Sequence, residues 1–260
     1  MTIDLSGKRA LVCGSTQGIG RAVAMALAVS GAEVILVARN EAALNDVRGR
    51  MKQGPKHDII CADFQKPDEL REKLSGYLQN HAPVHILLNN TCGPAAVLAI
   101  DAASDAFEAA FRQHLICNQI LVQAVVPGMK AAAYGRIVNI ISTSVKQPIR
   151  QLGVSNTIRG AVASWAKTLA TELGPYGITV NNVLPGATRT ERLNGLFESR
   201  AKQNCTTPDV IAGEWLAEIP AGRFAEPEEI AHAVTFLVSP QAAYINGVNL
   251  PVDGGRLGCL

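Results

Sequence analysis

Seven short runs of almost unbroken apolar residues recur along this chain, at 9–13, 33–38, 58–61, 84–89, 136–141, 179–184 and 248–252. A strand with one face in water alternates apolar and polar residues. A run that is apolar throughout belongs to a strand covered on both faces, the condition of a parallel sheet. Stretches with helical periodicity lie between them, at 18–30, 41–53, 67–80, 104–133, 153–174 and 227–238. Such alternation implies right-handed βαβ crossovers and a doubly wound, Rossmann-like α/β fold. The expected sheet is mostly parallel and seven-stranded, with helices on both faces. No linker, low-complexity stretch or repeat breaks the pattern, so residues 1–260 are expected to form a single domain. One segment stands apart. Residues 188–220 follow the sixth strand, are polar and only weakly periodic, and are expected to form a substrate lid, because ligands in such folds bind beyond the carboxyl ends of the strands.

Composition narrows the partners. Basic and acidic residues number 24 and 22, a net charge of +2, and no region is strongly one-signed, so a nucleic-acid footprint is not expected. Aromatics at 5% are too few for base-stacking platforms. No apolar run approaches the roughly 20 residues of a membrane span, and residues 1–14 do not read as a signal peptide. The six cysteines form no C-x-x-C pair. A chain of this size needs no disulfides, so a reduced, cytoplasmic protein is expected. His81 and His85 are separated by Pro83 and do not share a helix face, and no metal site is expected.

The first strand runs into Gly14-Ser15-Thr16-Gln17-Gly18-Ile19-Gly20 and then a helix. Glycines allow a tight turn and close approach of backbone to a phosphate, while the helix N-terminus offers free N–H groups. The second strand ends at Ala38-Arg39, where an acidic residue would bind the ribose hydroxyls of NAD. Arginine pairs with a 2′-phosphate instead, which favours NADP(H) over NAD(H), although Arg39 also fits an ordinary surface arginine opening a loop. Asp63 either accepts a bond from the adenine amino group or belongs to a helix N-cap region.

These glycines, with Asn89-Asn90 ending the fourth strand, resemble the short-chain dehydrogenase/reductase family. The resemblance extends through Gly135–Ser142, Gly177–Gly186, Arg223–Ala231 and Asp253-Gly254-Gly255, and its nearest look is to the 3-oxoacyl-carrier-protein-reductase-like branch. It implies a dinucleotide contacting Gly14, Ser15, Gln17, Gly18, Ile19 and Gly20 at the pyrophosphate and Arg39 at the 2′-phosphate. Asp63 and Phe64 would lie near the adenine, Asn90 and Thr91 by the adjacent ribose, and Pro185, Gly186 and Thr188 by the nicotinamide. It also implies a homotetramer or homodimer, and a small carbonyl or alcohol as substrate.

The catalytic pattern departs from the family's. Ser142 holds the family's serine position. The tyrosine expected thirteen residues later is Ser155, and the lysine a helical turn beyond is Arg159. The supporting asparagine is His114, and Cys13 and Cys92 stand where the family has threonine and glycine. Ser155 and Arg159 share a helix face, and Arg159 can still grip ribose hydroxyls through its fork. A serine hydroxyl is a far weaker acid than a phenol. Histidine is the natural group for proton transfer near neutrality, so His114 either supplies the proton, directly or through water bound to Ser155, or is a hydrogen-bonded core histidine on the stripe Phe107, Phe111, His114, Asn118, Leu121, Val125. The expected activity is an NADP(H)-dependent oxidoreductase with altered proton-transfer residues. The alternative is a nucleotide-binding relative without dehydrogenase activity, a sensor or inactive subunit, and a third reading is a lyase or isomerase on the same scaffold.

Overall fold

A computed structural model describes residues 2–51 and 55–259. Seven strands form one sheet in the order β3-β2-β1-β4-β5-β6-β7. They are β1 (Arg9–Cys13), β2 (Glu33–Ala38), β3 (Asp58–Cys61), β4 (Ile86–Asn89), β5 (Gly135–Ile140), β6 (Ile178–Pro185) and β7 (Asn249–Val252). Every neighbouring pair is parallel, as the apolar runs require. The helices are α1 (Gly18–Val29), α2 (Glu41–Arg50), α3 (Pro67–Gln79), α4 (Ser104–Phe111), α5 (Cys117–Ala131), α6 (Gly153–Leu173), α7 (Glu191–Gln203), α8 (Pro208–Ala217) and α9 (Pro227–Leu237). The second expected helix, 41–53, runs on into residues 52 and 53, which lie outside the described residues. None of the described helices is long and apolar enough to cross a membrane.

Alternate side chains of each strand supply two cores. Ala10, Val12, Leu36 and Leu88 pack under α1, α2 and α9, while Leu11, Val37, Leu87 and Ile137 pack under α3, α5 and α6. The strand order reverses between β1 and β4, which places the ligand crevice of a doubly wound fold beyond their carboxyl ends. Residues 188–220 contribute α7 and α8, held by a separate apolar cluster of Leu193, Leu196, Phe197, Ile211 and Trp215.

The expected helix over 104–133 runs from Ser104 to Ala131 but changes phase on the way. A π-helical turn, Arg112–Ile116, separates α4 from α5. It divides the expected stripe: Leu121 and Val125 are buried against the sheet, whereas Phe111 is 40% exposed.

A ladder of asparagine amides crosses four strands, from the carboxyl end of β4 to the first residue of β7. Asn89 donates to Asn139, Asn139 to Asn182 and Asn182 to Asn249, each at 2.8 Å. The ladder leaves one end open, because the Asn89 Oδ1 is buried without a partner. Cys13 is the next side chain on that face, in the strand paired with β4. A thiol is a weak donor, and an unpaired buried acceptor costs about 1–3 kcal/mol. Cys13→Thr puts a hydroxyl beside this oxygen and is expected to stabilise the protein by about 1 kcal/mol, read as a higher urea midpoint at unchanged slope. An unchanged or lower midpoint refutes this account of the open end.

Candidate active site

The turn after β1 is built to admit a ligand against bare backbone. Gly14 and Gly18 have φ of 62° and 51°, a region costly for other residues. A Cβ on Gly14 would lie 2.6 Å from the Asn90 carbonyl oxygen, and one on Gly20 2.1 Å from the Gly14 carbonyl oxygen. Asn90 ties the two central strands together, its Nδ2 donating to the carbonyls of Cys13 and Gly14. Gln17 is the N-cap of α1 in extended conformation, and neither a capping side chain nor an acidic residue occupies the first turn. The first N–H groups of α1 are therefore open to an anion. The turn thus fits a dinucleotide pyrophosphate.

The other expected contacts fall around this turn with different exposures. The Gly14 amide donates to Val37 at 2.8 Å, so the end of β2 adjoins the turn. Arg39 follows it, is exposed and makes no ion pair among the described residues. Ser15 is fully buried, and both its hydroxyl and its backbone amide face the Val37 carbonyl at 3.5 Å, which fixes the turn against β2. Ile19 is half-buried against the core under α1, and Phe64 lies in the core of the opposite face with 8% exposure. Asp63 accepts from the Gln65 amide at 3.0 Å, so it caps its own loop, while Lys66 is the N-cap of α3. Pro185 ends β6, and the Gly186 amide donates to Val252 at 2.9 Å. A Cβ on Gly186 would stand 2.6 Å from the Asp253 Cα. Thr188 is buried, its hydroxyl donating to the Gly186 carbonyl at 3.1 Å.

The central side chains converge from β5, α6 and the π-turn. Ser142 caps a short 3-10 turn, its oxygen accepting from the Ser144 amide at 3.1 Å, which leaves its own proton to donate elsewhere. Ser155, in the first turn of α6, is buried to 8% exposure and has no hydrogen bond of its hydroxyl to a described residue. Arg159, one turn on, is also 8% exposed. Its Nη1 donates to the Ile140 carbonyl at 2.7 Å and its Nη2 to the Thr91 carbonyl at 3.4 Å. No carboxylate lies within 4.0 Å of it among the described residues. Burial, and then the charge of Arg192, lower its pKa to about 10, with Cys92 acting the other way.

His114 occupies the π-turn, a helix defect frequent at functional sites. It is 1% exposed, its Nδ1 shares a 2.5 Å hydrogen bond with the Thr91 hydroxyl, and its Nε2 has no partner. Burial above all, then the charges of Arg159 and Arg192, push its pKa down to about 2. The ring is therefore neutral at every physiological pH. The charged imidazolium that makes histidine a good acid is absent, and what remains is a neutral ring able to pass a proton on. Thr91 joins the parts, its hydroxyl to His114 and its carbonyl to Arg159.

Two contributions from the 188–220 segment were not expected as site residues. Thr190, the N-cap of α7, lies so close that its Cγ2 would be 3.1 Å from a Cβ on Gly18. Arg192, in the first turn of α7, donates to the Pro94 carbonyl at 2.5 Å across the mouth of the crevice. Little in their spacing marks them, because the segment is only weakly periodic; the three arginines at 189, 192 and 200 in a polar stretch give a hint. Among the described residues no group of three or more His, Cys, Asp or Glu is placed to hold a metal ion.

Known proteins resemble this chain along its whole length. The family model described as "Enoyl-(Acyl carrier protein) reductase" matches residues 14–256. The L-xylulose reductase of Mesocricetus auratus is 33% identical over 258 residues, covering 99% of each chain. The 3-oxoacyl-(acyl-carrier-protein) reductase of Vibrio cholerae is 33% identical over 255 residues, covering 97% of this chain and 98% of its own. Among solved structures, the L-sorbose reductase of Gluconobacter frateurii, complexed with NADPH and L-sorbose, superposes with a TM-score of 0.93 at 30% identity, covering 100% of both chains.

Proposed function

Because the chain belongs to the short-chain dehydrogenase/reductase family, we propose that it is an NADP(H)-dependent oxidoreductase interconverting a small carbonyl compound and its alcohol. The observation that carries this reading is Arg159. A guanidinium buried without a carboxylate is costly unless a ligand repays the charge, and its two protein partners are both backbone carbonyls. A cation kept at this buried position suits a charged cofactor and a substrate that gathers negative charge. The NADPH complex of the sorbose reductase supports the choice of cofactor, as does the unpaired Arg39 at the end of β2.

When bound, the nicotinamide supplies or accepts the hydride. The protein's part is position and charge. Ser142, with its oxygen already satisfied by the Ser144 amide, donates its proton to the substrate oxygen. Arg159 stabilises the negative charge that gathers there during reduction, in a site where low dielectric strengthens the effect. Ser155 stands in place of the family's acid as a relay: its hydroxyl gives a proton to the alkoxide and regains one from solvent. The neutral His114, with its free Nε2, extends that relay and is not itself the source of the proton. The helices α7 and α8 serve as the lid.

The test is oxidation of NADPH and of NADH with a broad panel of carbonyl compounds. Turnover with NADPH is expected. Arg39→Ala is expected to weaken NADPH about tenfold or more, the worth of a charge-assisted bond, with little change for NADH. Tight binding of NADPH with no oxidation across the panel would make the chain a nucleotide-binding relative without dehydrogenase activity. The neutral ring of His114 and the buried cation of Arg159 at the centre are the observations on that side.

A further inference from the structure

Two segments beside the substrate half of the crevice are basic. Residues 91–100 and 142–159, the latter running into α6, contain Lys146, Arg150 and Arg159 and no aspartate or glutamate. They are joined to each other, since Val97 bridges to Leu152 and the Gly153 amide donates to the Val97 carbonyl at 2.9 Å. The lid adds Arg192, whose Nη2 reaches the Pro94 carbonyl and lies 3.4 Å from the place of a Cβ on Gly93. Neither Arg192 nor Arg159 has a carboxylate within 4.0 Å among the described residues, although Glu191 is the very next residue in sequence to Arg192. The remaining lid arginines are used differently: Arg189 pairs with Glu226 at 2.9 Å, and Arg200 donates to the Arg150 carbonyl at 2.6 Å. Beside the two unpaired guanidinium groups, His114 holds a buried Nε2 without a partner.

An arginine fork matches a planar oxyanion with two parallel N–H bonds, and Arg192, exposed at the mouth of the crevice, presents its fork to a ligand entering from solvent. The charge of Arg192 bears on the buried Arg159 and disfavours its cation, a repulsion that a bound anion relieves. We propose that the substrate carries an oxyanion group, a carboxylate or a phosphate, besides its reacting carbonyl, and that Arg192 recognises this group as the lid closes. The proposal rests on the oxidoreductase reading above and names its substrate class. It gives Arg192 a distinct task from Arg159, which serves the reacting oxygen. Its single bond to Pro94 spends one of five N–H donors, so the rest of the fork is available.

The experiment pairs 2-oxo and 3-oxo acids of three to eight carbons with their methyl esters. Binding to the NADP+-loaded protein is measured by calorimetry, and NADPH oxidation is followed with the same pairs. Acids are expected to bind at least tenfold more tightly than their esters in wild type. Arg192→Ala is expected to reduce that ratio to near one and Arg192→Lys to retain part of it, while Arg189→Ala keeps the wild-type ratio. Added chloride or sulfate weakens the acids and spares the esters. The proposal is overturned if no acid binds more tightly than its ester, or if the ratio survives in Arg192→Ala. It is equally overturned if that variant loses affinity for NADP+ with the acid-to-ester ratio unchanged, since the anion met by Arg192 would then be the cofactor's. An acid preference in binding without any NADPH oxidation upholds the oxyanion site and instead refutes the dehydrogenase reading.

Discussion

Arg159→Met is expected to lower kcat/KM by about 10²–10³ while the folded protein becomes no less stable. The two effects together separate a functional charge from a structural one. Removing a preorganised donor from a developing oxyanion costs that much in other enzymes, and the fork also holds Ser155's end of α6 to the crevice loop. Its structural bonds are modest: one to the Ile140 carbonyl at 2.7 Å and a long one to Thr91 at 3.4 Å. Against them stands the cost of an unpaired buried cation, several kcal/mol after relaxation. Methionine fills most of the same volume without that charge, so the thermal midpoint of the cofactor-free protein is expected to stay level or rise by a few degrees. NADPH, which stabilises the wild type by mass action, is expected to stabilise the variant less. A fall of 3 kcal/mol or more in stability would show that Arg159 is retained to hold the fold.

The second large effect is on acid stability. His114 is held neutral in the folded protein down to about pH 2, whereas in the unfolded chain it takes up a proton near its ordinary pKa of 6.5. Below pH 6.5 the unfolded state binds the extra proton, so stability falls as pH falls, by about 1.4 kcal/mol for each unit once well below 6.5. Above 6.5 the ring contributes no pH dependence. Two units of acidification thus remove about 2.5 kcal/mol, a large share of a typical domain's stability. Carboxylates act in the same direction at lower pH. Glu229 is held down to about 2 by Arg223 and by the Glu226 amide, and it loses that support on protonation. His114→Gln keeps the carboxylates and removes the ring, so the difference in urea-melt stability between the two proteins, followed from pH 7 to pH 4.5, isolates it. Parallel slopes for wild type and variant would refute the buried, neutral ring.

Much of this molecule was legible as sequence. The parallel sheet followed from runs such as Ile35-Leu36-Val37 and Ile86-Leu87-Leu88, which have no polar face to expose. The phosphate turn followed from Gly14, Gly18 and Gly20, because only glycine meets those torsions and approaches. That Ser155 and Arg159 occupy the positions where the family's tyrosine and lysine are expected was read from the register of the resemblance, and the structure puts the two one turn apart at the start of α6. What the sequence withheld depends on burial and on distant partners. His114 titrates abnormally because of what surrounds it, including an arginine 78 positions away. Arg192 matters through a carbonyl 98 positions off. The asparagine ladder is written as one asparagine in each of four strands, two of them in Asn-Asn doublets, and only strand register aligns them.

The π-turn at Arg112–Ile116 has a consequence for how this long helical segment can be altered. Each residue of an α-helix turns the chain by about 100°, so one residue taken up in a wider turn offsets everything before it by that angle relative to everything after. Phe107 and Ala110 thereby face Val154 and Ile158 of α6, while Cys117 and Leu121 face the sheet. Deleting one residue from the turn would keep a good helix and lose this phase difference. The segment is thus two gears on one shaft, and its length modulo one turn is as much a part of the design as any side chain on it.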